Sequence, residues 1–503
     1  MASVVSGASF KEHTSYTLDV MTIVNNESEA FDVKNTFIQC FINESIFDNF
    51  LSGEIVIADA IGMFDKVKFT GQESLRIRLS QPTGFNDTID EDDVIDKVFR
   101  IYKINDVKRI DAQTQVFNCS FASPELIEAK RTRISQAFKG NLLSLAAKIS
   151  EDHLGIANKP LKNKLQPHFE RRMDAKEEHH VIIPNWTVQE TINWLCSKSQ
   201  DNDYTGGVTD SFFFYQTANG GYRINSIKDM YETRYQSGTK FVYSDVNDAA
   251  DVHYDSTKSE AGVIGSGRRI IDYFMPSTAN ILEATMKGMF GSNLLTINNT
   301  GKYYQEKSYN YLERFFVDGK NSIDNEPLIR TQPEVMYIGE AGQIGKETVV
   351  SGTHGMDYKP ITSYPDAFRL LLNQSNFVHD EEGKVNTVNG ESHFGGQQSR
   401  QAVSQLVKFH PVHCLLSART DISVGQIISL VLPDTHQKST EQDSKFHSGD
   451  HLITNVQWVF NKNTLNTNIV CIKDSFENNI ELTEIEYGLA EGEPVNREQR
   501  NSE

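Results

Sequence analysis

Cysteine is scarce in this chain, and what there is lies far apart. Five cysteines, Cys40, Cys119, Cys196, Cys414 and Cys471, occur in 503 residues with no CxxC pair. An odd, scattered set inside apolar stretches predicts reduced, buried thiols and no structural disulfide, and it excludes the usual zinc-ribbon and thioredoxin spacings. Long apolar runs are also lacking: nothing approaches the roughly 18 residues that a membrane helix needs. The opening "MASVVSGASFKEHTSYTLDV" has no basic segment followed by an apolar core, so neither Sec-type export nor a membrane-spanning segment is predicted. Positive charge is in deficit. Lys plus Arg number 49 against 68 Asp plus Glu, a net charge of −19, which argues against adhesion to a phosphate backbone. It is compatible with a wall that DNA slides past without sticking.

What is present is ordinary soluble composition, 38% hydrophobic and 23% charged, in a chain too long for one core. Its first part is rich in short Val, Ile and Phe runs broken by Gly, Asn and Asp: "YTLDVMTIV", "FIQCFINESI", "SGEIVIADAI", "SLRIRLSQ", "KVFRIYKINDVKRI", "TQVFNCSFAS". In "SLRIRLSQ" the apolar residues Leu75, Ile77 and Leu79 alternate with Arg76, Arg78 and Ser80, the period of a half-buried strand. Helical periodicity then takes over in "ASPELIEAKRTRISQAF", with Ser123 as N-cap and Pro124 in the first turn, and in "NLLSLAAKISEDHLG", which stops at Gly155. A further helix is predicted in "PNWTVQETINWLCSKSQD", where Thr187 and Glu190 have capping-box spacing, followed by a hairpin in "SFFFYQTANGGYRINSI". The polar stretch His379 to Gln401, rich in Gly and Gln, reads as a loop. Strands resume in "AVSQLVKFHPVHCLLSA", "GQIISLVLPD", "DHLITNVQWVFNKN" and "LNTNIVCIKDSF".

One phrase occurs twice. Gly71-Gln72 opens "SLRIRL", a loop and "VFRIYKINDVKRIDAQTQVFNCSF"; Gly425-Gln426 opens "IISLVL", a loop and "LITNVQWVFNKNTLNTNIVCIKDSF". Similar strands in similar order, aligning Cys119 with Cys471, imply one β-barrel used twice.

Sites of chemistry are not apparent. "GEAGQIGKET", Gly339 to Thr348, has the wrong spacing for a phosphate loop and Glu347 where a hydroxyl is required. "GVIGSGRR", Gly262 to Arg269, lacks the dinucleotide-binding order. Glu177 to His180 and the group His410, His413 and Cys414 miss metal-ligand spacing. The run Asp90 to Asp93 reads as a solvated loop, and Trp186 and Trp194 as core or interface anchors. No catalytic, cofactor-binding or metal residues are assigned, and no cofactor is expected.

The order of these phrases resembles the baseplate hub protein of contractile-tailed bacteriophages and, more distantly, the hub part of type VI secretion spike proteins. The resembling residues are "ESIFDNFLSGEIVIADAIG", "GQESLRIRL", "SFASPELIEAKRTRISQAFKG", "IPNWTVQETINWLCSKSQD", "FFFYQTANGGYRINSI" and the closing "ISVGQIISLVL" and "HLITNVQWVFNKNTLNTNIVCIKDS". That resemblance implies a mainly β fold with α/β accessory parts: two tail-tube-like antiparallel β-barrel domains, a helix-and-hairpin domain and an insertion. The expected division is a first barrel at 14–128, an α/β accessory domain at 129–238, a second barrel from 239–312 with 402–477, an insertion at 313–401 and an acidic tail at 478–503. On this division Thr278 to Ile297 opens the second barrel. The implied function is a non-enzymatic virion structural protein, assembled in the host cytoplasm: a homotrimer whose six barrels match the tail tube, or a tube-initiating ring, above and the central spike below, with wedge proteins around it. DNA would pass through its channel without specific binding. The alternatives are a tail-associated cell-wall or polysaccharide hydrolase, which needs two carboxylates of split pKa in a cleft, and a non-catalytic carbohydrate-binding tail protein.

Overall fold

The computed structural model describes residues 16–81, 93–111, 113–161, 165–173, 178–199, 211–235, 240–243, 268–276, 280–298, 303–310, 326–327, 367–372, 390–408, 410–433, 444 and 447–476. Its first part is a run of strands: β1 (Thr17–Val24), β2 (Ala30–Asp32), β3 (Phe37–Ser45), β4 (Ser52–Asp59), β5 (Ser74–Ser80), β6 (Ile95–Arg109) and β7 (Gln115–Ala122), with one short helix, α1 (Met63–Val67), after β4. They lie in the order β2-β1-β5-β6-β7-β4-β3. Alternation does the folding: Leu75, Ile77 and Leu79 are fully buried while Arg76 and Arg78 face outward and share Asp96. Each such Leu, Ile or Phe withdrawn from water contributes about 1.5–3 kcal/mol.

An α/β unit follows: α2 (Pro124–Arg131), β8 (Arg133–Asn141), α3 (Leu142–Leu154), β9 (Phe169–Arg172), β10 (Glu178–Thr187), α4 (Val188–Lys198), β11 (Phe212–Gln216), β12 (Tyr222–Ser226) and α5 (Ile227–Glu232). β8 and β10 form a two-stranded ribbon, β11-β12-β9 a small sheet, and α3 and α4 seal a second core between them. The Thr187–Glu190 capping box is present, and Gly155 ends α3 with φ 68°. Two expectations are corrected here. The helix predicted over Ala122 to Phe138 stops at Arg131, because Ile134 and Phe138 turn inward from a strand that pairs with β10. Ser123 does not cap α2; its hydroxyl donates to Gln216 Oε1 at 2.5 Å.

The chain then supplies β13 (Lys240–Tyr243), β14 (Arg269–Phe274), α6 (Ile281–Met286), β15 (Gly291–Asn298), β16 (Tyr303–Asn310), β17 (Glu326–Pro327), β18 (Ala367–Leu372), α7 (Gly390–Leu406), β19 (Pro411–Leu416), β20 (Ile427–Val431), β21 (Gly449–Asn461), β22 (Leu465–Ile472) and β23 (Ser475–Phe476). Six of these close on themselves: β21-β20-β13-β14-β19-β22, with β22 pairing back onto β21. The mainly β fold class is therefore the one observed. In detail the second barrel is not wholly antiparallel, since β13 runs parallel to both neighbours, and the first is an open sheet whose gap between β1 and β3 is crossed by the β2–β3 turn, where buried Val33 donates to Met21 O at 3.0 Å.

Thr278 to Ile297 does not open the second barrel. Among the described residues it gives α6 and β15, and β15 pairs with β16 and β18 in a separate three-stranded sheet. Part of the polar stretch read as a loop is helix: α7 begins at Gly390, and its end, Ala402 and Leu406, packs on Ala284, Met289, Phe290 and Tyr309. Residues Ala402 to Leu406, expected to be strand, belong to that helix. The expected loop before Gly390 and the tail at 478–503 lie outside the described residues. Among the described residues no helix is long and apolar enough to cross a membrane.

Candidate functional site

Five strands of each repeat correspond in order, β5-β6-β7-β4-β3 with β20-β21-β22-β19-β14, and two of their irregularities coincide. In β6–β7 the ladder runs Ile101↔Phe121, skips Tyr102, and resumes at Lys103↔Ser120; in β21–β22 it runs Ile453↔Cys471, skips Thr454, and resumes at Asn455↔Val470. In β3–β4 it steps from Phe37↔Ile57 to Gln39↔Val56; in β14–β19 from Ile270↔Leu416 to Asp272↔Leu415. A bulge inserts one residue and re-aims the strand, so two coincident bulges define register far more tightly than apolar alternation does. They shift the sequence alignment by two residues: Phe121, not Cys119, is equivalent to Cys471. Gly71 and Gly425 have φ of 81° and 77°, a left-handed turn that explains why glycine occurs before both equivalent strands.

The repeats are joined side by side. β3 pairs antiparallel with β21 from Gln39↔Asn461 to Ser45↔Asn455, so one sheet runs through both barrels and a single apolar core spans them. Across this seam Gln457 bridges Asn43 at 2.8 Å and Asn468 at 3.1 Å.

The tip of the β11–β12 hairpin, Thr217 to Gly221, is wedged where the barrels meet. Buried Glu44 on β3 accepts from Ala218 N at 2.7 Å through Oε2 and from Val424 N at 2.8 Å through Oε1, tying first barrel, hairpin and second barrel to one carboxylate. Lys97 reaches Gly220 O, Asn49 Nδ2 reaches Phe214 O at 2.8 Å, and Ser423 Oγ reaches Asn219 Oδ1 at 2.6 Å. Burial raises the Glu44 carboxyl to about 7 against the lowering pull of the Val424 and Ala218 amides and of Arg223 and Lys97. A carboxyl poised there resembles a general acid, yet both oxygens hold backbone amides, which makes it a structural link. Nothing in the sequence marked Glu44 beyond its being a lone acid in an apolar strand.

Two further polar clusters lie inside the second barrel. Arg419 and Asp421, both nearly inaccessible, form an ion pair that includes the Tyr235 hydroxyl, and Trp458 Nε1 donates to Arg419 O at 2.7 Å. At one barrel end the rings of His410 and His447 stack at 5.7 Å, near His451, whose Nδ1 lies 2.8 Å from Gly449 O. Burial, followed by the charge of Lys473, holds His451 down to about 3.

The sequence candidates are scattered. His179 is buried and His180 exposed on successive positions of β10. His410, His413 and Cys414 do not converge: His413 lies on the outer face against Phe274, and Cys414 points into the barrel. Among the described residues no three His, Cys, Asp or Glu side chains could hold a metal ion. All five cysteines are buried, and burial raises each thiol, those of Cys119, Cys196 and Cys414 to about 12. Trp186 and Trp194 pack edge to face at 5.6 Å over the second core, as anchors. Asp93 joins the first barrel to the second through Thr420. Glu177, Asp90 to Asp92, Gly262 to Gly267 and Gly339 to Thr348 lie outside the described residues.

No protein-family model matches the chain, and no curated protein matches it. Among solved structures it is similar to a tail protein from Neisseria meningitidis MC58, at 9% identity and TM-score 0.46 over 92% of this chain and 97% of that one. A 43 kDa tail protein of prophage MuSo2 from Shewanella oneidensis aligns at 10% identity and TM-score 0.45 over 90% and 97% of the two chains. The E. coli c3393 protein, a component of the type VI secretion system with structural similarity to T4 bacteriophage tail proteins gp27 and gp5, aligns at 7% identity and TM-score 0.39 over 92% and 77%.

Proposed function

We propose that this chain is the structural hub of a contractile phage tail baseplate: a homotrimer of pseudo-sixfold symmetry that links a sixfold tail tube, or a tube-initiating ring, to a threefold central spike. Wedge proteins surround it, and it is a non-enzymatic part of the DNA channel in the virion. The observation that carries this reading is the duplicated barrel joined through β3 and β21, because two equivalent units per chain are what a threefold assembly needs to present six. The net charge of −19 supports a surface that DNA passes without adhering. The division into a first barrel at 14–128, accessory domain at 129–238 and insertion at 313–401 is retained as part of the proposal, with the second barrel drawn from β13, β14 and β19 to β22.

The test is the mass of the purified protein in solution followed by class-averaged electron micrographs of the same peak. A three-chain particle with a central opening and six lobes is expected. A compact monomer at every concentration, or a particle without a threefold axis, would overturn the reading.

A further inference from the structure

β21 and its equivalent β6 are both long strands that outrun their neighbour. β20 pairs with β21 as far as Leu452, and Ile453 N donates to Gln426 O; beyond that, from Asn455, the same edge of β21 is taken by β3. β5 pairs with β6 as far as Arg100, and Ile101 N donates to Glu73 O in the same way. Beyond that point no strand among the described residues takes the edge of β6, from Tyr102 to Arg109. Apolar Tyr102, Val107 and Ile110 are 50%, 51% and 64% exposed there.

Among the described residues the complementary half is also unpaired by any strand. β3 has β4 on one side and β21 on the other. Its equivalent, β14, has β19 on one side, while on the other β13 covers Arg269 and Ile270 alone. The edge from Ile271 to Phe274 is taken by no strand among the described residues, and Phe274 is 58% exposed.

We infer that the β6 edge of one copy pairs antiparallel with the β14 edge of a second copy, repeating between chains the seam that β21 and β3 make within one. Within one chain the two edges do not pair, and the sheet that joins the barrels passes through β3 and β21 instead. A head-to-tail contact between unlike edges propagates from copy to copy and closes if the rotation allows. Register follows from the ladders. Lys108↔Val116 is equivalent to Val459↔Asn466, and Phe274↔His413 to Phe41↔Glu54. The internal pairs Val459↔Phe41 and Phe460↔Cys40 therefore become Lys108 opposite Phe274 and Arg109 opposite Tyr273. Asp272 then lies opposite Ile110 on the same face as Lys108, its diagonal neighbour of opposite charge, where like charges would oppose pairing. The left-handed Asp106 (φ 52°) and the exposed lysines also keep this edge from pairing indiscriminately. This seam rests on the hub reading for the number of copies, not for its own geometry.

The experiment uses the full chain carrying Lys108→Cys and Phe274→Cys, treated with a short bismaleimide; the native thiols are buried. Covalent species of two and three chains and no larger are expected, with neither single substitution linking. A ladder closing at another number keeps the seam and overturns the trimer. A trimer in solution that does not link overturns the seam and leaves the hub reading standing, and a monomer at all concentrations overturns both. Lys108→Glu with Arg109→Glu, with its thermal midpoint retained as a check on folding, is expected to weaken assembly about tenfold or more. Unchanged assembly in that variant would count against the seam.

Discussion

Two buried groups pull the protein's acid and base responses in opposite directions. Glu44 is raised from 4.5 to about 7, so the folded chain holds a proton there that the unfolded chain has lost; stability from this group is complete below pH 4.5 and falls as pH rises to 7. The difference is about 3 kcal/mol. His451 is lowered from 6.5 to about 3, so its contribution is complete above pH 6.5 and is lost as pH falls toward 3, a difference of about 5 kcal/mol. Between pH 4.5 and 6.5 the two slopes cancel, and their sum is flat. Glu44→Gln keeps an oxygen for one backbone amide and removes the proton linkage. Its stability relative to the parent is expected to climb by about 1.4 kcal/mol per pH unit between 4.5 and 7. Thermal unfolding of both proteins at half-unit pH intervals measures this, and parallel curves would show that Glu44 is not the titrating group. Amide exchange at Ala218 and Val424 locates the effect. The amides of Met63 and Phe64, held by Asp59 whose carboxyl stays below its usual value, serve as the control without pH response over the same range.

At the scale of elements, the barrels were legible where alternation was strong and opaque where packing was long-range. β5 and β22 declare themselves by period-2 burial, and α3 by its periodicity and its Gly155 stop. Ile134 and Phe138 stand four apart, a spacing that suits a helix face as well as a strand with a partner 40 or more residues away, so the sequence alone does not separate β8 from the helix before it. In α7 Gly and Gln weaken helix propensity up to Gln401 and an apolar run follows that suits a strand, and packing against α6 and β16 residues is what reveals the helix. The seam had no local signal at all, since β3 and β21 are more than 400 residues apart. Within the repeat, Gly53↔Phe121 is equivalent to Val412↔Cys471, a small-large pair exchanged for two of middle size. A Cβ on Gly53 would stand 2.2 Å from Phe41 O and 2.6 Å from the Phe121 ring. Gly53→Ala is therefore expected to cost about 3 kcal/mol or more, an overpacking that forces the strand itself to shift. Adding Phe121→Ala should recover less than half, because the Phe41 carbonyl remains; full recovery in a double-mutant cycle would show that the ring alone sets the limit.

For the whole molecule, closure divides the two barrels in stability although their strands match. The second barrel has no free end to fray, since β22 returns to β21, whereas the first ends in β2, three residues long and exposed or half-buried throughout. Local opening begins where backbone bonds face water and few apolar contacts hold them. Native-state hydrogen exchange is therefore expected to rank β2 and the adjoining half of β1 fastest and β19, β21 and β22 slowest, with β3 and β4 grouped with the second barrel because the seam carries its protection across. A first barrel that exchanges as one unit, β3 included, would mean that β3–β21 pairing does not couple the repeats. Assembly adds a distinct signature. Amides on the outer edge of Tyr102 to Arg109 and of Ile271 to Phe274 should gain protection together as concentration rises, while β2 does not. Gain at one edge without the other cannot come from pairing between them, because a ladder bond protects donors on both strands.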